Sequence, residues 1–325
     1  MNATTRTPVR SWSRVLVLIA LLSLPLAPSA FAGNFTRVVI FGDSLSDAGN
    51  HFVHFGTISQ QPFVPIPDAS YAIGGHHFSN GATWAEQLAD ALHLPTSGKP
   101  ALRAPGAFTN YAVGRARARV GALVFPDFDL STQVGLFLSD FGGHASSGDL
   151  YVVWIGANDL NDALNALRTD PSGTTSFGII QAAITAVADN IQALWVSGAR
   201  TFLIPSLPNL AITPAVRALG PPAQFAATQL TTAYNDALDG VLSALQGLPQ
   251  IKLVRLDINE LFEDLMAAPE AAGLTNAEDS CLTFGVIGGA ICKTPNRYLF
   301  WDGIHPTKAG HGFIAGAAFL AIASP

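Results

Sequence analysis

Short apolar segments alternate along the chain with longer segments in which apolar residues recur at helical spacing. The short segments are rich in β-branched residues and almost continuously hydrophobic, which is typical of strands buried on both faces of a parallel sheet. Four of them predict strands: Arg37–Phe41, Tyr151–Ile155, Thr201–Pro205 and Ile251–Leu256. Asn110–Val113 is a further, shorter strand candidate.

Four of the longer segments predict helices. Thr83 and Glu86 form a capping box that opens a helix ending near Leu92. Phe177–Val196 carries apolar residues three or four positions apart and is followed by Gly198, a residue typical of helix ends. The other two helices are predicted over Gln224–Leu245 and Thr307–Ile322. With no repeat, linker or break in composition, residues 33–325 are expected to form a single three-layer α/β/α domain with a central parallel sheet, doubly wound.

Residues 1–32 have the pattern of a secretory signal peptide. Three arginines precede the apolar run Val15–Leu24, and Ala30-Phe31-Ala32 then places small residues where signal peptidase cleaves, which predicts cleavage after Ala32. The alternative is an uncleaved membrane anchor, but its uninterrupted apolar stretch falls well short of the roughly 20 residues that span a bilayer. We expect no second run of spanning length and a soluble exported domain, either periplasmic or extracellular.

Composition and charge narrow the function. The chain has 49% hydrophobic and 12% charged residues, which excludes a disordered chain or a basic nucleic-acid-binding protein. Three of the 17 basic residues and none of the 23 acidic residues precede residue 33, which leaves a net charge of −9 on the exported part. That charge argues against nucleic-acid partners and, more weakly, against anionic membranes.

Two loop regions have a distinctive composition, one with a pair of cysteines and one rich in aromatic residues and histidines. Cys281 and Cys292 lie eleven positions apart, and export favours a disulfide between them over a metal pair or two free thiols. Residues 51–78 form a long irregular segment, rich in aromatic residues and histidines, of a kind that often binds ligands. Its histidines have no carboxylate at ligand spacing, so we expect loop histidines and no metal; they are His51, His54, His76 and His77.

Candidate chemistry lies at the two ends of the domain. Ser44 follows the first strand, at the edge of a parallel sheet where ligands bind, although a serine there also serves as a helix N-cap. A serine nucleophile needs a base, and Asp302 and His305 lie three positions apart before the last helix. That spacing lets the carboxylate hold one ring nitrogen while the other faces the serine. Taken alone, such a pair is also a common way to begin a helix.

Acyl transfer also needs donors for the developing oxyanion. Gly114 follows a candidate strand and offers an unhindered backbone N–H, and Asn158 follows the strongest strand and offers a side-chain amide. An ordinary tight turn at Gly114 and an Asx-turn or cap at Asn158 are the alternative interpretations.

Four motifs occur together in a fixed order: Gly42-Asp43-Ser44-Leu45, Asn110 to Gly114, Gly156-Ala157-Asn158-Asp159, and Asp302 to His305. Over nearly all of residues 34–325 this combination resembles the GDSL family of the SGNH hydrolase superfamily, and most closely its secreted bacterial and plant-type lipase/esterase branch. The resemblance implies a flavodoxin-like SGNH hydrolase fold and a serine ester hydrolase that needs no metal or organic cofactor. It implies Ser44 as nucleophile, His305 as general base and Asp302 as its orienter. The Ser44 and Gly114 N–H groups and the Asn158 side chain would form the oxyanion hole.

One position departs from that pattern, because relatives usually carry a second glycine where this chain has Arg115. Arg115, Arg117 and Arg119 alternate, which predicts a solvated strand face or, less often, a site for a phosphate headgroup or carboxylate. The substrate stays open among short-chain esters, triglycerides and lysophospholipids, with carbohydrate acetyl esters less favoured, and so does the oligomeric state. The partners we expect are a small-molecule or lipid ester and, at most transiently, a lipid surface. The alternatives are a phospholipase or lysophospholipase that passes its acyl group to an alcohol or sterol, and a non-catalytic secreted binding protein on the same fold.

Overall fold

The computed structural model describes residues 35–121 and 128–324, and its eight strands form one central sheet and two strand pairs. In chain order the strands are β1 (Val38–Gly42), β2 (Ile58–Ser59), β3 (Ser70–Tyr71), β4 (Leu150–Trp154), β5 (Thr201–Pro205), β6 (Lys252–Leu256), β7 (Asn276–Ser280) and β8 (Tyr298–Phe300). The central sheet is parallel with the order β1-β4-β5-β6, and β2 pairs with β3 and β7 with β8. The four predicted core strands are therefore confirmed, with bounds that move by one residue at most.

Helices cover the central sheet in two groups. In chain order the α-helices are α1 (Asn50–Phe55), α2 (Trp84–Ala91), α3 (Leu130–Asp140), α4 (Ala157–Ala166), α5 (Thr174–Val196), α6 (Pro214–Arg217), α7 (Pro221–Leu245), α8 (Ile258–Ala267) and α9 (Lys308–Ala323). Short 3₁₀ turns span Ala101–Arg103, Leu210–Ile212, Pro269–Ala272 and Pro295–Arg297. Helix α2 packs on α9, whereas α3, α4 and α7 pack around α5. The result is the predicted α/β/α arrangement with a central parallel sheet.

The strands of the central sheet begin level with one another. Val38 lies opposite Leu150, Leu150 opposite Thr201, and Thr201 opposite Lys252. Because all four strands run the same way, their carboxyl ends lie at the same end of the sheet. The loops that follow β1 and β4 begin there, next to each other. Ser44 and Asn158 are carried by those two loops, which explains why the sequence could place them on the same side of the domain.

The segment Asn110–Val113 differs from its prediction as a regular strand. It runs along the free edge of β1, where Tyr111 N–H donates to Ile40 O at 2.7 Å and Val113 N–H donates to Gly42 O at 3.2 Å. The ladder is broken at Gly42, whose N–H donates to Gln133 Oε1 at 2.9 Å, and on the side away from β1 Asn110 Oδ1 accepts from Ala112 N–H at 3.0 Å. A side chain that takes over a backbone donor in this way competes with the strand geometry.

Helix α5 also differs from expectation, since by length and composition alone its 23 residues suffice to cross a membrane. Its predicted apolar stripe nevertheless packs into the protein, where Ile180, Ile184, Val187, Ile191 and Leu194 are all buried in the main core. This burial, with α3, α4 and α7 packed around α5, is that of a core helix. The predicted signal peptide over residues 1–32 lies outside the described residues.

The segment 51–78, predicted to be irregular, contains most of α1 and the short strands β2 and β3. Together with the C-terminal loops it forms a small second core beside the main one. Its buried members are Phe63, Tyr71, Cys281, Leu282, Ala290 and Trp301. The predicted disulfide is present and joins Cys281 to Cys292. We call residues 281–292 the disulfide loop; Thr283 N–H donates to Ala290 O at 2.7 Å and closes it from within.

Candidate active site

A tight turn presents Ser44 at the carboxyl end of β1. Ser46 N–H donates to Asp43 O, and Leu45 N–H donates to Asp43 Oδ1, both at 3.0 Å. Glycine at position 42 lets the end of β1 pass close to β4, because a Cβ there would lie 2.6 Å from the Trp154 carbonyl oxygen. Strand and turn together leave Ser44 8% exposed, at the bottom of a cleft.

The structure brings Ser44, His305 and Asp302 into one hydrogen-bonded row. His305 Nε2 lies 2.8 Å from Ser44 Oγ, and its Nδ1 lies 2.7 Å from Asp302 Oδ2. A carboxylate only accepts hydrogen bonds, so Asp302 holds the proton of the neutral ring on Nδ1 and leaves Nε2 to accept from the serine hydroxyl. Asp302 Oδ1 accepts from the N–H groups of Ile304 and His305, which fixes the turn between the two residues.

Tyr71 is a member of this row that sequence reasoning missed. Its hydroxyl donates to Asp302 Oδ2 at 2.9 Å, from a side chain that is fully buried beside Trp301. Burial, with the neighbouring carboxylate, raises the pKa of Tyr71 far above its usual range, so the hydroxyl stays protonated and donates. The aromatic content of residues 51–78 was the available signal, but nothing in it distinguishes Tyr71 from its neighbours.

Asn158 lies in the first turn of α4 and lines the cleft together with Ser44 and His305. Its Nδ2 donates one hydrogen to Ala116 O at 2.9 Å, which orients the amide and leaves the second hydrogen for a ligand. The turn before it requires glycine, because Gly156 has φ 123° and a Cβ there would lie 2.2 Å from the Tyr234 hydroxyl oxygen.

Gly114 is engaged differently from its predicted role. Its N–H donates to Asp47 Oδ2 at 2.7 Å, which commits this donor to the protein and removes it as the expected oxyanion donor. A Cβ on Gly114 would lie 2.1 Å from the Phe78 ring, so glycine is needed here to make room for that ring. Asp47, which sequence reasoning passed over, also accepts from the N–H groups of Gly49, Asn50 and His51.

The amide that follows Gly114 belongs to Arg115. Arg115 adopts a left-handed conformation with φ 71°, and within residues 35–121 and 128–324 its N–H has no hydrogen-bond partner.

Arg117 and Arg119 do not form a solvated strand face, because both side chains are largely buried in ion pairs with α4. Arg117 pairs with Asp162 at 2.9 Å, and Arg119 pairs with Asp162 and Asp159 at 2.6 Å.

Asp43 places a second carboxyl group beneath the row. It is fully buried, and its Oδ2 has no hydrogen-bond partner among the described residues. Burial raises the pKa of Asp43 to about 6, against the smaller opposing effects of the Leu45 N–H and of a positive charge on His305.

The cleft above Ser44 is narrow and mostly apolar, with a cavity volume of about 60 Å³. Its hydrophobic lining includes Leu45, Ile66, Trp154, Leu207, Ile212, Val216, Phe262 and Ile304. Such a lining around a few polar groups is typical of a site for an apolar small molecule or acyl chain.

The histidines of residues 51–78 pack mainly against rings. His76 stacks on Phe52 with centroids 3.6 Å apart, and His51 lies edge-on to Phe78 at 5.3 Å. Throughout the described part of the chain, no three His, Cys, Asp or Glu side chains form a group that could hold a metal ion.

The chain is also similar to known proteins. A family model described as GDSL-like Lipase/Acylhydrolase matches residues 38–318. GDSL esterase/lipase 5 of Arabidopsis thaliana is 26% identical, over 95% of this chain and 90% of its own. Thermolabile hemolysin of Vibrio parahaemolyticus is 28% identical, over 86% of this chain and 62% of its own. Among solved structures, the acetylxylan esterase Axe2 of Geobacillus stearothermophilus, as a catalytic mutant, aligns with TM-score 0.47 and 12% identity over 88% of this chain and 93% of its own.

Tyr71→Phe tests whether the Tyr71 hydroxyl positions Asp302. Loss of a hydrogen bond to a carboxylate should lower the free energy of unfolding by about 1.5–3 kcal/mol. We expect kcat for ester hydrolysis to fall about tenfold with little change in KM, because the carboxylate then holds His305 less firmly. Tyr111→Phe is the matched control, since it removes a 2.7 Å bond to Asp140 outside the cleft. A kcat unchanged in both variants would show that Tyr71 is only structural.

Asp43→Asn tests the buried carboxyl group through pH. The pKa of Asp43 is raised to about 6 in the folded state from an ordinary value of 3.8, so the folded protein binds this proton more tightly than the unfolded chain. Wild type should therefore lose stability relative to Asp43→Asn as the pH rises from about 4 to 6, by at most about 3 kcal/mol. Urea unfolding at pH 4, 6, 7 and 8 measures the difference, which should be level between pH 7 and 8. A difference that is constant from pH 4 upward would contradict the raised pKa.

Proposed function

The chain belongs to the GDSL-like lipase/acylhydrolase family and is a carboxylic ester hydrolase, and we propose that it cleaves its substrates through a covalent acyl-enzyme on Ser44. The observation that carries this proposal is the unbroken row of hydrogen bonds from Ser44 through His305 to Asp302, which ends in an apolar cleft. A serine hydroxyl becomes a useful nucleophile at neutral pH only beside a base held in this way.

In the proposed reaction Ser44 Oγ attacks the ester carbonyl carbon while His305 Nε2 accepts the hydroxyl proton. Asp302 stabilises the resulting imidazolium, and His305 then gives the proton to the leaving alcohol. A water molecule attacks the acyl-enzyme by the same steps, which releases the acid and restores Ser44. Tyr71 keeps Asp302 in place throughout, because its hydroxyl stays protonated and bonded to Oδ2.

For the oxyanion we propose three donors: the backbone N–H groups of Ser44 and Arg115 and the Asn158 side chain. Neither backbone N–H has a hydrogen-bond partner among the described residues, whereas Gly114 N–H is bonded to Asp47. The Arg115 amide thus takes the role that the sequence had suggested for Gly114. Donors already oriented in the free protein need little rearrangement as negative charge develops on the substrate.

We propose apolar acyl esters or lipid esters as substrates and export as the destination of the chain. The hydrophobic cleft supports the first proposal, and the Cys281–Cys292 disulfide supports the second, because such bonds persist in oxidising compartments. Cleavage after Ala32 and a single catalytic domain over residues 33–325 complete this proposal.

A panel of p-nitrophenyl esters from acetyl to palmitoyl tests the reaction with purified protein. Wild type should turn over at least one chain length, and Ser44→Ala should abolish turnover while its circular dichroism spectrum stays unchanged. Turnover that persists in Ser44→Ala would overturn the assignment of the nucleophile. Adding an alcohol or sterol acceptor and measuring ester products in the same assay tests the acyltransferase alternative.

Asn158→Ala tests the oxyanion assignment. Loss of one preorganised donor should lower kcat by roughly 10²–10³ with a small change in KM. Asn165→Ala, at an exposed position of the same helix, is the matched control and should leave kcat within about twofold. A loss below tenfold in Asn158→Ala would remove Asn158 from the oxyanion hole.

A further inference from the structure

Exposed apolar side chains concentrate on two neighbouring segments near the cleft. One is the disulfide loop, and the other is residues 57–66, which we call the rim segment. Of the thirteen large hydrophobic side chains exposed in the described part of the chain, five lie on these two segments: Val64, Ile66, Val286, Ile287 and Ile291. Ile287 is 85% exposed, more than any other of the thirteen.

The two segments are joined to one another. Gly285 N–H donates to Phe63 O at 3.0 Å, and Gly288 N–H donates to Gln61 Oε1 at 3.3 Å. Beneath them the small second core already buries Phe63 and Leu282, and the disulfide closes the loop. Val286 and Ile287 are therefore held at the surface by a rigid base, although the fold does not need them for its own core.

This apolar surface continues into the cleft. Gly303 N–H, in the turn between Asp302 and His305, donates to Pro65 O at 2.9 Å. The next residue of the rim segment, Ile66, lines the cleft together with Ser44 and His305. Ile66 thus lies at the cleft through which an ester must enter, and the rim segment that carries it is hydrogen-bonded to the disulfide loop.

The absence of charged residues from the two segments indicates which kind of surface they would bind. Neither the rim segment nor the disulfide loop contains an acidic residue, a basic residue or a histidine, and the whole chain has a formal net charge of −6. An uncharged apolar patch on an acidic protein gives no electrostatic attraction to anionic lipids, but it gains free energy by inserting into a neutral lipid surface. Patches of this kind on a soluble domain mark sites of interaction.

We propose that Val64, Ile66, Val286, Ile287 and Ile291 form a docking surface for zwitterionic lipid, which seats the cleft mouth on the lipid that supplies the ester. This inference rests on the proposed function only in the choice of lipid as occupant, because an apolar cleft that opens onto Ser44 accepts acyl chains from the surface it touches. The docking itself requires no turnover and is measured separately.

Flotation with phosphatidylcholine vesicles tests the docking surface in Ser44→Ala protein, which should not consume the lipid. We expect the Ser44→Ala protein to float with the vesicles, and Ile287→Asp added to it to weaken partitioning at least about tenfold, since an aspartate there would have to be buried with its charge. Val196→Asp is the matched control. Val196 is 71% exposed at the end of α5, before β5 begins and so at the opposite edge of the sheet, and its replacement should leave partitioning unchanged.

Activity then separates docking from chemistry. With Ser44 intact, Ile287→Asp should hydrolyse dissolved p-nitrophenyl acetate at the wild-type rate, because Ile287 does not line the cleft, and should lose about tenfold or more on esters carried in the vesicles. If the protein turned over no ester but its vesicle binding still depended on Ile287, the proposed function would be overturned and the docking surface supported. Vesicle binding that is equal in Ile287→Asp, or absent in the Ser44→Ala protein, would overturn the docking surface. So would a dimer that Ile287→Asp dissociates, because the patch would then hold a second copy of the chain.

Discussion

The buried carboxylate of Asp302 is the contact on which the rest of the site depends. Its two oxygens accept four hydrogen bonds, from the Tyr71 hydroxyl, His305 Nδ1 and the N–H groups of Ile304 and His305. These bonds join the segment 51–78 to the turn before α9, and His305 carries the connection on to Ser44, 261 positions earlier in the chain. A carboxylate with no exposure to water is stable in its charged form only when its acceptor sites are satisfied, so loss of any partner disturbs all the others.

Residues 51–78 therefore form a wall of the site. Tyr71 supports Asp302 from behind, and the Phe78 ring lies 5.3 Å from the His305 ring and fills the space that Gly114 leaves open. Pro65 receives a hydrogen bond from Gly303 and brings the rim segment to the mouth of the cleft. One segment thus holds the base in position and shapes the entrance, which explains why its aromatic residues are mostly packed inward while a few aliphatic ones face out.

The sequence predicted the features whose signals are local. Strand burial, helix periodicity and the Asp302–His305 spacing each arise within a few residues, and the order of parallel strands then places Ser44 and Asn158 at one edge of the sheet. Tyr71 escaped prediction because its partner Asp302 lies 231 positions away, and the bond of Asp47 to Gly114 escaped because it spans 67 positions. At Gly114 a local signal gave the wrong role, because the distant contacts were again missing from it. A glycine at a strand end suggests a free N–H, but the packing of Phe78 and the acceptor on Asp47 were needed to show why glycine stands there.

Ion pairs support the loop that carries the proposed oxyanion donor Arg115, a position where a glycine would have left the backbone less restricted. A left-handed conformation at Arg115 costs roughly 1–2 kcal/mol, and that strain persists only if neighbouring contacts fix the backbone. They do so within four residues, because Arg117 and Arg119 bind Asp162 and Asp159, and Asp159 also accepts from Ala118 N–H at 2.8 Å. Asp159 follows Asn158 on α4, so the same ion pairs fix both the loop that carries the Arg115 amide and the helix turn that carries the Asn158 amide. The two amides proposed as oxyanion donors, from different segments, are thereby held in one fixed relation, as an oxyanion hole requires.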